Sequence, residues 1–145
     1  MMNFKHLIVF IAAVFSVACA SVEKRTFSTD EGAIRGYDPV AYFTEGKPVK
    51  GKNSLTVKHG TGVYHFSTQA HLDLFKQDPD KYAPQYGGFC AYAMSKGFDV
   101  SSDPSAWTIR NDKLYLNYSK GVRKTWLKKP DEYIKKADVH WAKKT

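Results

Sequence analysis

Apolar and polar residues alternate in two parts of this chain and recur at helical spacing in several others. Residues 54–59 and 63–67 are two strand-like runs around Gly60-Thr61-Gly62, the pattern of a β-hairpin. The two-residue period sets Tyr64 and Phe66 on one face of the second run, and Val63, His65 and Ser67 on the other. Residues 106–110 and 114–118 form a second such pair around Asn111-Asp112. Helical signals surround the hairpins. Asp38 and Pro39 suit the cap and first position of a short helix that Gly46 and Pro48 close. Ser67 or Thr68 caps a helix of about ten residues through Leu72, Leu74 and Phe75, and Asp78-Pro79 restarts a turn toward Tyr82. After Pro84 and Gly87-Gly88, residues 89–94 form an apolar segment predicted to be helical and ended by Gly97. Two helices close the chain over residues 120–128 and from Pro130 to about Trp141. Trp126, Leu127, Tyr133, Ile134, Ala137 and Trp141 supply their apolar faces. The pattern predicts one small α+β domain, two short β-hairpins packed with several short helices, over residues 34–145.

The N-terminal residues change the picture. Lys5 precedes an apolar run from residue 7 to 17, which closes on Ala18-Cys19-Ala20, a small-x-small cleavage pattern. Residues 1–20 therefore read as a signal peptide, with residues 21–33 as a polar, flexible leader. The run is shorter than the ~20 residues that a membrane span needs. The expected location is the periplasm or the secreted space, with lipid anchoring at Cys19 as the competing route.

Export gives the cysteines their meaning. There are two, Cys19 and Cys90, and cleavage or acylation removes Cys19 from consideration. Cys90 is left single in a compartment where cysteines normally pair. It is a buried inert thiol, an intermolecular disulfide partner, or a ligand or reactive group. The chain carries nine Phe, nine Tyr and three Trp, which argues for an aromatic core. Its net charge is +8, concentrated at the C-terminus: residues 120–145 hold nine Lys or Arg against three Asp or Glu. Such a face attracts anionic surfaces or acidic protein partners, while export argues against nucleic acid.

Several segments resemble one family. Gly36-Tyr37-Asp38-Pro39-Val40-Ala41-Tyr42-Phe43 is similar to the opening motif of secreted YHS domains, and Tyr64-His65-Phe66-Ser67 to their signature. Residues 82–93, from Tyr82-Ala83-Pro84 through Gly87-Gly88-Phe89-Cys90, resemble their central motif. Trp107 and Leu114-Tyr115-Leu116-Asn117-Tyr118 continue the likeness. The resemblance implies metal association, although this chain lacks the multiple cysteines of metal-handling relatives.

Three functions compete. The leading one is binding or handling of a transition metal, copper or zinc, by Cys90 and His65 with Asp38 completing the shell, since thiolate plus imidazole suits those ions. The second is a metal-free structural or interaction domain in which Tyr37, Tyr64, Tyr86 and Tyr92 line an aromatic pocket, with Tyr37, Tyr64 and Tyr92 as cofactor-contacting candidates. The third is a thiol-dependent enzyme centred on Cys90. No CxxC, HExxH, EF-hand, GxSxG or phosphate loop occurs. His59 and His71 each lie six positions from His65, a spacing that makes no helical ligand pair. His71 is expected near the surface and His140 among solvated lysines.

Overall fold

Strand β1 (Ser28–Thr29) and β2 (Gly32–Ala33) open the chain, followed by helix α1 (Ala41–Thr44), strands β3 (Lys52–His59) and β4 (Gly62–Phe66), and helices α2 (Gln69–Gln77), α3 (Pro79–Tyr82) and α4 (Ala91–Met94). Strands β5 (Asp103–Arg110) and β6 (Lys113–Asn117) and helices α5 (Lys120–Trp126) and α6 (Pro130–Ala142) complete it. This computed structural model describes residue 13 and residues 23–145, so the expected signal peptide and Cys19 lie outside the described residues. The α+β class and the two predicted hairpins are present, and β1 pairs with β2 as a third, minimal one.

Local chemistry accounts for most of these elements. β3 and β4 pair antiparallel with Val57 opposite Tyr64, across a turn where Gly60 takes φ +59°. β5 and β6 pair around Asn111 and Asp112, both left-handed (φ 50° and 58°), the two-residue turn that matches strand twist. The Thr68 hydroxyl accepts the His71 amide at 3.1 Å and caps α2, and Asp78 accepts the Lys81 amide at 3.3 Å to cap α3. Each cap is worth about 1 kcal/mol.

β6 organises the packing. Leu114 and Leu116 face a first core with Val40, Tyr42, Tyr64, Phe66, Leu72 and Phe75, whereas Tyr115 faces a second with Tyr86, Met94, Trp126 and Ala137. A strand covered on both sides reads as a continuous apolar run, which Leu114-Tyr115-Leu116 is. β4 is covered on one side only. Tyr64 and Phe66 are buried and Val63 points out, as its alternation predicts. Phe75 joins the layers, with ring centroids 5.0 Å from Tyr64 and 5.1 Å from Phe66.

Residues 23–33, expected as a flexible leader, pack against the body. The Lys24 carbonyl accepts the Thr61 amide (3.0 Å), and Phe27 N–H donates to the Gly87 carbonyl (2.9 Å). The contact depends on Gly87, whose φ is +60° and where a Cβ would lie 2.0 Å from the Arg25 carbonyl oxygen. Backbone groups make part of this packing, and Phe27 adds a ring contact with Phe89 at 5.6 Å between centroids, a partner 62 positions away that composition does not report.

Candidate functional site

Asp38 is fully buried and is the most heavily hydrogen-bonded side chain of the motif region. One carboxylate oxygen accepts the amides of Val40 (2.9 Å) and Ala41 (3.2 Å); the helix starts two residues later than expected, with Val40 as its N-cap, so Asp38 braces the turn into α1 rather than capping it. The other accepts the Ser67 amide (2.8 Å), the Ser67 hydroxyl (2.7 Å) and His71 Nδ1–H (2.7 Å). A carboxylate offers about four lone-pair sites, and five donors occupy them. Asp38 therefore ties α1, the end of β4 and α2 together. His71, expected near the surface, is its partner, and its other ring nitrogen lies 3.1 Å from the Thr44 hydroxyl. The spacing of 33 residues between Asp38 and His71 hid this pair from sequence reasoning. Ser67 was visible as part of the signature.

His65 takes the outward face of β4, as predicted. Its ring lies against Gly32, where a Cβ would come within 2.7 Å of Nε2, and its backbone and Cβ lie against Gly51. It lines a groove of about 310 Å³ with Asp30, Glu31, Lys50 and Asn53. Ser67 hydrogen-bonds to Asp38 and His71, away from this ring.

Cys90 lies elsewhere, under α4. It is 1% exposed. Its sulfur accepts the Ala93 amide at 3.5 Å, as an N-cap, and its thiol points to Asn117 Oδ1 at 3.6 Å. That same Asn117 oxygen accepts the Tyr92 amide at 3.0 Å. Asn117 was named from sequence only as part of the motif of residues 114–118, with no role assigned to it.

Cys90, His65 and Asp38 are thus held by separate sets of neighbours. Among the described residues no group of three or more His, Cys, Asp or Glu side chains is placed to hold a metal ion. The donor chemistry agrees: the Asp38 lone pairs are taken and the Cys90 sulfur is enclosed. The three residues do not fit one transition-metal centre.

The tyrosines are also dispersed. Tyr37 lies on a groove near Lys50, whose ammonium sits 5.1 Å from its ring. Tyr92 packs edge-on to Tyr133 at 5.1 Å. Tyr64 and Tyr86 do converge. They line a cleft of about 360 Å³ with Lys24, Arg25, His59, Asp80 and Trp141. Burial pushes the Tyr64 phenol above its ordinary range, against a weaker opposing pull from Thr26. Burial likewise raises Tyr86, and the Asp138 carboxylate that accepts its hydroxyl at 2.9 Å adds to the effect. Both hydroxyls therefore stay protonated donors across the physiological range. One wall is the N-terminal strap, the other is α6, and a Lys24–Asp80 ion pair of 3.0 Å stands at the mouth. Local pattern could not find this cleft, since its walls come from both ends of the chain.

Residues 40–86 match the family model of the YHS domain. No curated protein and no solved structure matches the chain. The matched segment runs from α1 to Tyr86. It contains the Ser67–His71 half of the Asp38 network and the Tyr64–Tyr86 floor of the cleft, and it stops short of Cys90.

Proposed function

We propose that this chain, whose residues 40–86 match the YHS domain, is an exported, non-catalytic binding module whose ligand enters the Tyr64–Tyr86–Trp141 cleft. The cleft carries the reading. Its volume falls within the ~300–1,000 Å³ of small-molecule sites, and it combines aromatic walls with a few polar groups. Tyr64 and Tyr86 supply a rigid floor, Trp141 a stacking wall, and Lys24, Arg25, Asp80 and Gln85 the polar contacts. A small, partly aromatic molecule with one polar end suits that lining. Export rests on the N-terminal pattern of residues 1–20.

The test is a panel of small aromatic acids and amines, followed by tryptophan fluorescence and thermal shift on the processed protein. The expected result is saturable binding that weakens at least about tenfold in Trp141→Ala, the loss of one stacking partner, and is unchanged in His65→Ala. Absence of any saturable ligand, or a hit indifferent to Trp141→Ala, removes the cleft as the site.

A second reading keeps the expected copper or zinc. It rests on His65, which lines a groove sharing neither Cys90 nor Asp38; Glu31 there is paired with Lys50, so an ion held by His65 would take its remaining donors from outside this set. Isothermal titration with Cu(II) and Zn(II), repeated in His65→Ala and Cys90→Ser, separates the two. Stoichiometric binding lost in His65→Ala alone supports this groove. Loss in both variants restores the thiolate–imidazole centre and overturns the dispersal argument.

A further inference from the structure

We propose that the outer face of α6, together with the loop packed over its C-terminal half, docks on an anionic lipid bilayer. The face follows from helix geometry. Ala137 is buried and anchors the inner side. Lys135, Val139 and Lys143, spaced by four, run along the opposite side. Val139 is 54% exposed. The loop of residues 95–99 is fixed to this end of the helix: a Cβ on Gly97 would lie 3.1 Å from His140 Nδ1, and Asp99 pairs with Lys144 at 3.1 Å. Between those two anchors, Phe98 projects with 64% of its surface exposed. Ser95, Glu132, Lys135, Lys136, Val139 and His140 frame a shallow apolar depression between loop and helix.

Charge selects the occupant. The carboxylates facing this corner are already engaged. Glu132 pairs with Lys136 at 3.0 Å and with Lys129 at 3.8 Å, and Asp99 pairs with Arg25 and Lys144. Asp131 holds Arg110, and Asp138 accepts the Tyr86 hydroxyl. Lys135 and Lys143 have no carboxylate within ion-pair distance among the described residues, and Lys96 lies over the Tyr92 ring at 5.2 Å. The result is a cationic rim around two protruding apolar tips. Anionic headgroups attract such lysines, and Phe98 and Val139 can enter the boundary between headgroups and acyl chains. Trp141, which lines the cleft, lies two positions from Val139 and so on the other side of α6, and His65 lines a separate groove.

The test is co-sedimentation of the processed protein with large unilamellar vesicles of phosphatidylcholine, with and without 30 mol% phosphatidylglycerol, at low and high salt. Binding is expected only with the anionic lipid and weakens as salt screens the lysines. Each lysine near the surface contributes roughly a factor of five. Lys135→Gln with Lys143→Gln therefore lowers partitioning about 25-fold, while Lys47→Gln with Lys52→Gln, before and at the start of β3 and outside the proposed face, changes it little. Phe98→Ser weakens binding at both salt concentrations. Absence of binding to the anionic vesicles at low salt overturns the proposal. So does equal loss in the two double variants, which would show a response to net charge alone.

Discussion

Replacing Asp38 by Asn separates an architectural carboxylate from a metal ligand. The substitution keeps the size and one carbonyl oxygen but exchanges the other oxygen for an NH₂ group. The side facing Val40 and Ala41 presents two backbone N–H groups that cannot turn away. The carbonyl oxygen therefore stays there, and the new NH₂ meets Ser67 and His71. The Ser67 hydroxyl can rotate and the His71 ring can change tautomer, whereas the Ser67 amide, 2.8 Å away, is left facing a donor. One unsatisfied buried amide costs about 1–3 kcal/mol, and losing charge assistance on the remaining bonds adds about 1 kcal/mol. The expected total is about 3 kcal/mol, a drop of roughly 10–15 °C in Tm for a domain of this size. Urea unfolding followed by circular dichroism, in the presence of a chelator, measures it. If Asp38 were chiefly a metal ligand, the metal-free variant would lose under about 1 kcal/mol, and that outcome would refute the hydrogen-bond argument. A Ser67→Ala cycle adds a check: the two substitutions should couple, because they share one oxygen.

Cys90 should resist Ellman's reagent at neutral pH until the protein is unfolded in guanidinium, since only 1% of it is exposed; rapid reaction of the native thiol would revive a thiol-dependent activity. Alkali should unfold the protein steeply. Burial raises the phenols of Tyr42, Tyr64 and Tyr86 and takes Tyr115 up to about 12. Stability is therefore full below the ordinary tyrosine range near pH ~10 and falls by about 5 kcal/mol per pH unit above it, as the unfolded phenols ionise first. Absorbance at about 295 nm should show the phenols of Tyr42, Tyr64, Tyr86 and Tyr115 titrating together with the loss of circular dichroism; their ionisation near pH ~10 with the fold intact would contradict this. Gly87→Ala places a Cβ 2.0 Å from the Arg25 carbonyl oxygen at φ +60°. It should cost about 2–4 kcal/mol or release the strap, seen as lost hydrogen-exchange protection at the Phe27 amide, and a change under about 0.5 kcal/mol would show the strap adjusts freely.

The elements of this protein were legible because their causes are local. Asn111-Asp112, Thr68, Asp78-Pro79 and Gly97 act within a few residues, and the alternation at Tyr64–His65–Phe66 states which side chain faces the core. The likeness of residues 40–86 to the YHS domain was legible for the same reason, as contiguous motifs. The site was legible only in part. His65, Cys90 and Asp38 were singled out by residue type, and type says nothing of convergence. Asp38 spends its lone pairs on α1, β4 and α2, Cys90 is enclosed by α4 and β6, and His65 looks into a different groove. The reading of residues 23–33 as a flexible leader failed because its anchors, backbone groups meeting Gly87 and Thr61 and the Phe27 ring on Phe89, are partners far along the chain, which composition does not report. The amino-acid sequence alone therefore settled the order and kind of the elements, and its contiguous motifs carried the match of residues 40–86 to the YHS domain. The partner of Asp38, the enclosure of Cys90 and the cleft between Tyr64, Tyr86 and Trp141 were set by long-range packing, in which residues far apart in the chain share one hydrogen bond or one wall.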